Sequence, residues 1–287
     1  MALRQGPTVR RRRLGMQLRK LREQADMTGE EVCAKADWST SKLSRIETGR
    51  VSVLPADVKF LLTIYGAGSE EGQQLAEFAA RSSERGWWHR YNDVLPEWFE
   101  VYLGLEAEAA VIFTYQAEVV PGLLQTREYA SALMAASVAP DTPEEIERRV
   151  ALRAARQARL TAEEDPLRLH AVINEAVLRR LVGGPDAMRA QLRRLLDAAE
   201  LSTVTVQVLP FSAGAHPSTP GGFNVLEFTE PTDPRMVYVE ELTSSVYLEK
   251  PREVGRYRLA FDRITAAALS PADSVTVIAG AVEELRT

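Results

Sequence analysis

The first 66 residues alternate apolar and polar positions with the period of α-helices. Leu14, Leu18, Leu21 and Ala25 lie at i, i+4, i+7 and i+11, so they share one face of an amphipathic helix. Shorter segments with the same period follow, and together they predict an all-α domain of five helices. The predicted helices run around Leu14–Ala25, from a Thr28 cap to Asp37, from a Ser39 cap to Gly49, from Pro55 to Gly66, and from Ser69 to about Arg81.

Residues at the helix ends support these boundaries. Thr28 and Glu31 have the spacing of a capping box, in which each side chain accepts a hydrogen bond from the other residue's backbone. Ser39 is a second candidate N-cap, and Gly49 is a typical C-terminal stop. The segments between Thr28 and Gly49 are therefore predicted to be two short helices joined by a tight turn.

The pattern changes after residues 82–92, where glycine, polar residues and two tryptophans interrupt the helical period. We therefore predict a domain boundary, with one domain over residues 1–82 and a second over 83–287. The second domain is predicted to be α+β, because helical segments mix with segments of period two such as 203–209. The predicted strands are 111–120, 167–173, 203–209, 223–228, 236–242 and 245–249. Two predicted helices close the chain, one over 252–269 and a last one that ends at Leu285.

Charge divides the chain more sharply than composition does. Residues 1–66 carry 13 Lys and Arg against 7 Asp and Glu, whereas residues 67–287 carry 22 against 33. The N-terminal region is therefore net positive by 6 and the remainder net negative by 11, although the whole chain is −5. A basic region attracts nucleic-acid phosphates and an acidic one is repelled by them, so the N-terminal domain is the candidate DNA-binding part.

Composition and cysteine content set the broad class. The 45% of hydrophobic and 26% of charged residues are ordinary for a globular protein. No apolar run is long enough for a bilayer, and the basic segment near Arg10–Arg13 precedes an amphipathic segment and not a signal-peptide core. A single cysteine, Cys33, excludes an intrachain disulfide, and we expect a cytoplasmic protein without membrane association.

The segment from Gly29 to Arg50 meets the requirements of a helix-turn-helix motif. Cys33 supplies a small residue where the two helices cross, and Asp37 is tolerant of the backbone angles that a tight turn needs. Leu43 and Ile46 are spaced to face the core. The outward positions of the second helix are short, polar or basic, as a helix that enters the major groove requires; they are Thr40, Ser41, Lys42, Ser44 and Arg45.

This region resembles the Xre (Cro/C1-repressor-like) family over residues 14 to 66. The matching strings are L-R-K-L-R-E-Q-A-D-M-T-G-E-E-V and S-T-S-K-L-S-R-I-E-T-G-R. The resemblance implies base contacts by Thr40, Ser41, Ser44 and Arg45, and phosphate contacts by Lys42 and Arg50. Two positions differ from the family pattern. Gly29 lies where family members often carry a Gln that contacts the DNA, and Asp37 replaces the usual turn glycine.

Two further features bear on DNA binding. Arg10–Arg13 is either a mobile solvated run or an arm that lies along phosphates or in a minor groove. On the second interpretation, we assign Arg12 and Arg13 as phosphate contacts. Glu47 would repel DNA if it were exposed, so we expect it to pair locally and hold the following turn. Proteins of this class bind half-sites as dimers, so double-stranded DNA and a second copy of this chain are the expected partners.

The second domain carries no recognisable catalytic or metal motif. No dinucleotide fingerprint, P-loop or zinc-protease motif is present, and His89, His170 and His216 are too dispersed to suggest a metal cluster. Glu240 and Glu241 alternate across a strand and so point to opposite faces. We therefore predict neither enzymatic activity nor a cofactor, and we expect His170 to be solvated on its strand.

The loop over residues 210–222 is the most distinctive segment of the second domain. It contains three glycines, three prolines and His216, and it follows an apolar strand. It is either a long hairpin loop or a lid or docking surface for a ligand or partner, since long loops are often functional. On the second interpretation, Phe211, His216 and Phe223 are the candidate contact residues.

Residues 87–285 also resemble a domain of unknown function that follows an Xre domain in many actinomycete regulators. The matching strings are V-P-G-L-L-Q-T-R-E-Y-A, R-L-H-A-V-I-N-E-A-V-L, V-T-V-Q-V-L-P-F-S-A-G-A-H and A-A-A-L-S-P-A-D-S. The resemblance implies a cytoplasmic transcriptional regulator, often paired with a small partner protein encoded nearby. Two alternatives stay open: an antitoxin-like protein that binds a small acidic or basic partner, and a metabolite-sensing regulator.

Overall fold

The computed structural model describes residues 7–67, Leu75, Ala79, 86–138, 141–229 and 233–285. The chain divides into two compact units, Met1–Arg90 with Glu100–Glu108, and Tyr91–Phe99 with Ala109–Thr287. The predicted boundary after residue 82 and most of the predicted fifth helix over 69–81 lie outside the described residues.

Short helices around one apolar cluster form the first unit. Helices α1 (Pro7–Gln24), α2 (Gly29–Ala36), α3 (Thr40–Glu47) and α4 (Pro55–Tyr65) match four of the predicted helices. A 3-10 helix (Trp87–Val94) and helix α5 (Glu97–Glu108) follow, and each contributes residues to both units. The core of the first unit includes Leu14, Leu18, Val32, Cys33, Leu43, Ile46, Val58, Leu61, Leu62, Leu75 and Ala79.

A mixed six-stranded sheet organises the second unit. Its strands are β1 (Val111–Gln116), β2 (Arg168–Asn174), β3 (Val204–Leu209), β4 (Phe223–Glu227), β5 (Met236–Glu240) and β6 (Ser245–Leu248). Their order in the sheet is β3-β2-β1-β4-β5-β6. Strand β2 pairs in parallel with both β1 and β3. The pairs β1–β4, β4–β5 and β5–β6 are antiparallel. Each predicted strand is confirmed, and the first is shorter than predicted because the chain turns away after Gln116.

Parallel neighbours need crossover connections, and helices supply them here. Helices α6 (Arg127–Ala135) and α7 (Pro143–Gln157) connect β1 to β2, and α8 (Glu175–Arg179) and α9 (Gly184–Ala199) connect β2 to β3. The closing helices are α10 (Pro251–Ala267) and α11 (Pro271–Glu284). The predicted α+β class, with helices at the end of the chain, is therefore confirmed.

Helix α10 packs on one face of the sheet through aromatic and aliphatic side chains. Phe261 and Ile264 of α10 join a buried cluster with Tyr115, Phe223 and Val237 from three strands. At the β3 edge, Ser274 Oγ accepts a hydrogen bond from the backbone N–H of Val208 (2.9 Å). The last two helices are thus fixed to the sheet by apolar burial and by a backbone-to-side-chain hydrogen bond.

The expectation that His170 is solvated is wrong. Its ring lies 5.0 Å from Phe261 in an edge-on contact, and its Nε2 lies 2.7 Å from Oε1 of Gln207. The Nε2 atom of Gln207 donates to the carbonyl of Leu269 (2.8 Å), so its Oε1 accepts and His170 Nε2 carries a proton. His170 of β2 lies beside Phe113 of β1 in the sheet, on the face that α10 covers. The alternation of apolar and polar residues along β2 did not show which face is covered.

We expect His170 to make the second unit less stable in mild acid. Burial lowers the pKa of His170, the nearby Arg258 lowers it further, and the hydrogen bond with Gln207 opposes them. Protonation therefore favours the unfolded chain as pH falls below about 6.5, the ordinary pKa of histidine. Urea unfolding of the wild type and His170→Gln between pH 7.5 and 5.5 should show the larger loss in the wild type. Parallel pH profiles would contradict this assignment.

Candidate nucleic-acid interface

Helix α2 is bounded by the residues that the sequence predicted. The backbone N–H of Glu31 donates to Thr28 Oγ1 (3.2 Å) and the N–H of Thr28 donates to Glu31 Oε2 (2.8 Å), so the capping box is confirmed. Asp37 ends the helix in the left-handed region, with φ 53° and ψ 44°. A non-glycine residue adopts this conformation at a cost, which aspartate tolerates better than most. The predicted tight turn between the two helices is therefore present.

Helix α3 has one buried face and one open face. Ser39 caps it by accepting a hydrogen bond from the N–H of Lys42 (3.1 Å), while Leu43 and Ile46 are 3% and 2% exposed in the core. The opposite face consists of exposed side chains, namely Thr40, Ser41, Ser44 and Arg45. The structure therefore brings together the four predicted base-contacting residues on one accessible surface, which we call the α3 face; their contacts with bases stay a prediction.

Two glycines allow α3 to lie directly against the backbone of α1. A Cβ on Gly15 would stand 2.4 Å from the carbonyl oxygen of Ile46, and a Cβ on Gly49 would stand 2.6 Å from Cα of Arg12. Gly49 also has φ +66°, which favours glycine on conformational grounds. Sequence reasoning found Gly49 as a helix stop but missed Gly15, whose helical position carries no local signal of a close contact.

An ion pair joins the end of α3 to α1. Arg22 donates from Nε to Glu47 Oε1 (2.7 Å) and from Nη2 to Oε2 (3.1 Å), and its Nη1 donates to the carbonyl of Met27 (2.8 Å). The two side chains are only 12% and 9% exposed. Glu47 is thus neutralised, as expected, but the expectation of a local partner is wrong because Arg22 lies 25 residues earlier.

The electrostatic setting of this pair affects its neighbours. The hydrogen bonds that Arg22 donates to Glu47 raise the pKa of Arg22 above its ordinary value, although partial burial opposes the shift. Burial raises the pKa of Tyr65, and the charge of Glu47 adds to that effect. Arg22 and Tyr65 therefore both hold their protons at physiological pH.

Lys42 and Arg45 differ in how the protein engages them. The Lys42 ammonium lies 3.5 Å from the centre of the Trp38 ring and 3.5 Å from Oδ2 of Asp57. Arg45 makes only a long hydrogen bond to the carbonyl of Ser41 (3.3 Å) and has no ion pair within the described part of the chain. Arg50 is exposed and likewise unpaired among those residues. Arg45 and Arg50 are therefore available to an external anion, whereas Lys42 must first leave its protein partners.

The N-terminal arginines are not an extended arm. Arg12 and Arg13 lie within helix α1 and are half-buried, so this segment is helical; the predicted phosphate contacts of the two residues stay a prediction. Both residues interact within the protein, and the backbone of Arg12 lies against Gly49. A phosphate contact from either residue would have to come from the side of a helix.

A cleft of about 540 Å³ lies beside the α3 face. It opens between the end of α1, the beginning of α2 and the outer side of α3, and Gly29 forms part of its wall. A Cβ on Gly29 would meet only Cδ2 of Leu43, at an ordinary 3.7 Å. The missing side chain at Gly29 therefore leaves open space and does not reflect a steric requirement.

The three candidate contact residues in and next to the 210–222 loop do not form one surface. Phe211 is 60% exposed, whereas Phe223 is 2% exposed and packs in the core against Tyr257. Phe223 begins β4 and pairs with Tyr115 of β1. The Phe223 ring lies in the core beneath α10, so Phe223 is not an accessible contact residue. His216 packs on Tyr115, with 3.2 Å between its Nε2 and the tyrosine oxygen.

This geometry is that of a helix-turn-helix domain followed by an α+β domain, an arrangement consistent with an Xre-type regulator. Comparison with known families agrees, because residues 13–78 match a helix-turn-helix domain and residues 99–280 match a domain of unknown function, DUF5753. The chain belongs to the DUF5753 family. No curated protein and no solved structure matches it.

The described residues contain no single helix that is long and apolar enough to cross a membrane. Helices α10 and α11 meet the length and composition criteria only when taken together, and they are bent by 68° at the break between them.

We expect Gly15→Ala to destabilise the first unit. The added methyl group would collide with backbone carbonyls that cannot rotate away, at a cost of about 3 kcal/mol, the upper end of the range typical of overpacking. Gly29→Ala is the matched control and should change the free energy of unfolding by no more than about 0.5 kcal/mol. Urea unfolding followed by circular dichroism measures both. Equal stability of the two variants would contradict the close α1–α3 contact.

Proposed function

We propose that this protein is a sequence-specific transcriptional regulator whose helix α3 enters the major groove of operator DNA. The observation that carries the proposal is the α3 face, which is exposed, uncharged except for Arg45, and backed by buried Leu43 and Ile46. Short hydroxyl side chains and an arginine are suited to hydrogen-bond base edges. The excess of basic over acidic residues in the first 66 positions supplies attraction to phosphates.

The roles of individual residues follow from their partners. Arg45 is the candidate for a bidentate contact with guanine, because its guanidinium has no competing carboxylate among the described residues. Thr40, Ser41 and Ser44 would complete the base contacts, and Arg50 and Lys42 would bind phosphates. Glu47 takes no part in repelling DNA, because Arg22 neutralises it.

Dimerisation and the second unit complete the proposal. A single α3 spans few base pairs, so we propose a homodimer on half-sites about 34 Å apart. The α+β unit receives a signal or a small partner protein and has no enzymatic activity. Residues 67–287 are net acidic, which disfavours nonspecific DNA contact, and the whole protein acts in the cytoplasm.

The first test separates base contacts from phosphate contacts. With an operator selected from random DNA by the full-length protein, Arg45→Ala should weaken operator binding roughly ten- to a hundredfold and abolish the preference over unrelated DNA. Lys42→Ala should weaken both DNAs by a similar factor. Arg193→Ala, at an exposed site in α9, is the control. Unchanged operator affinity of both α3 variants in gel-shift titrations would refute the assigned helix.

A second test uses the partners of Lys42. Replacing Asp57 with Asn removes the carboxylate that lies 3.5 Å from the Lys42 ammonium, and it also removes a negative charge near α3. We expect Asp57→Asn to bind both operator and unrelated DNA more tightly than the wild type, with a steeper dependence on salt concentration. The same substitution in a Lys42→Ala background should have a smaller effect. Equal effects in both backgrounds would show that Lys42 does not reach the phosphates.

The dimer is tested by mass and by DNA spacing. Sedimentation equilibrium of the protein–operator complex should give two chains per duplex, and the selected operator should contain two related half-sites one helical turn apart. One chain on a single half-site would overturn this part of the proposal without affecting the assignment of α3.

A further inference from the structure

A small cavity in the second unit has an unusual concentration of arginine. It has a volume of about 110 Å³ and lies where the start of α6 meets α7 and α9. Three of its nine lining residues are arginines and none is acidic, although residues 67–287 as a whole are net negative. The lining comprises Gln125, Thr126, Arg127, Ala130, Val150, Arg153, Ala154, Gln157 and Arg194. We call this the α6–α9 cavity.

The arginines of the cavity differ in how far the protein satisfies them. Arg127 holds both carboxylate oxygens of Glu147, at 2.8 and 2.7 Å, and is therefore neutralised. Arg153 donates to the side-chain oxygen of Gln125. Arg194 is half-buried, and its side chain makes no ion pair or hydrogen bond within the described part of the chain. A partly desolvated guanidinium without a protein acceptor is a site where an anion is favoured.

The walls of the cavity are held in place by buried and half-buried side-chain amides. Gln125 is 6% exposed and donates to the carbonyl of Val120 (2.6 Å), while Gln157 donates to the carbonyl of Gln125 (2.7 Å). Gln191 is fully buried, accepts from the N–H of Thr126 (2.7 Å) and donates to the carbonyl of Leu124 (2.9 Å). These bonds fix the positions of the polar groups before any ligand arrives, which lowers the entropic cost of binding.

We propose that the α6–α9 cavity binds a small phosphorylated metabolite through its phosphoryl group. Planar guanidinium groups match the oxygens of phosphate, and Arg153 and Arg194 lie on different helices that face the same space. The volume accommodates a phosphoryl group but little more, so the rest of the ligand extends outward. This site does not depend on the proposed DNA binding, and it would supply the second unit with a signal.

The test uses inorganic phosphate and the full-length protein in isothermal titration calorimetry, at constant ionic strength set with chloride. Phosphate should bind saturably. Arg194→Gln should weaken binding at least tenfold, as expected for loss of a charged hydrogen-bond donor, and Arg194→Lys should restore part of it. Arg193→Gln, at the exposed neighbouring position, should bind like the wild type. Circular dichroism should confirm that each variant is folded.

Two further arms separate this proposal from its alternatives. Arg45→Ala should leave phosphate binding unchanged; if it abolishes binding, the anion lies on the α3 face and the cavity assignment is wrong. Acetate that binds as tightly as phosphate would overturn the phosphoryl specificity. Absence of saturable binding, or equal binding by the Arg194→Gln and Arg193→Gln variants, would overturn the site itself.

Discussion

The orientation of helix α3 is the constraint on which the N-terminal unit depends. Two unlike interactions set it: the steric fit of Gly15 and Gly49, which lets α3 lie on the backbone of α1, and the ion pair of Arg22 with Glu47. The first fixes the distance between the helices. The second fixes rotation, because a bidentate pair tolerates little change in angle. Together they place the hydroxyl side chains and Arg45 outward while Leu43 and Ile46 stay in the core.

Fewer basic side chains of this unit are available to bind DNA than its sequence suggests. Arg22 is used to hold the fold, Arg19 pairs with Glu23, and Lys42 is shared between Trp38 and Asp57. Within the part of the chain that the structure describes, few cations near α3 are left unpaired, and Arg45 is among them. A regulator with this arrangement would gain affinity from a limited number of phosphate contacts and specificity from the α3 face. An estimate from net charge alone would overstate the contribution of phosphate contacts to DNA affinity.

The second unit places polar groups inside an apolar framework. Buried glutamines bridge backbone groups at the start of α6, and His170 is held between Gln207 and the ring of Phe261. Most polar groups in a protein core make their hydrogen bonds, since an unmade bond there costs stability. At the α6–α9 cavity the half-buried side chain of Arg194 has no protein acceptor among the described residues.

Local patterns determined the elements of this protein. The period of Leu14 and Leu18, the capping box of Thr28, the tolerance of Asp37 for a left-handed turn and the alternation of 203–209 depend on neighbours within a few residues, so the sequence alone revealed them. The pairing of Arg22 with Glu47, the contact beneath Gly15, the burial of His170 and Phe223 and the cavity around Arg194 join segments far apart in the chain. Only the tertiary structure decided them, because packing and electrostatic partners are set by proximity in space and leave no periodic trace in the sequence.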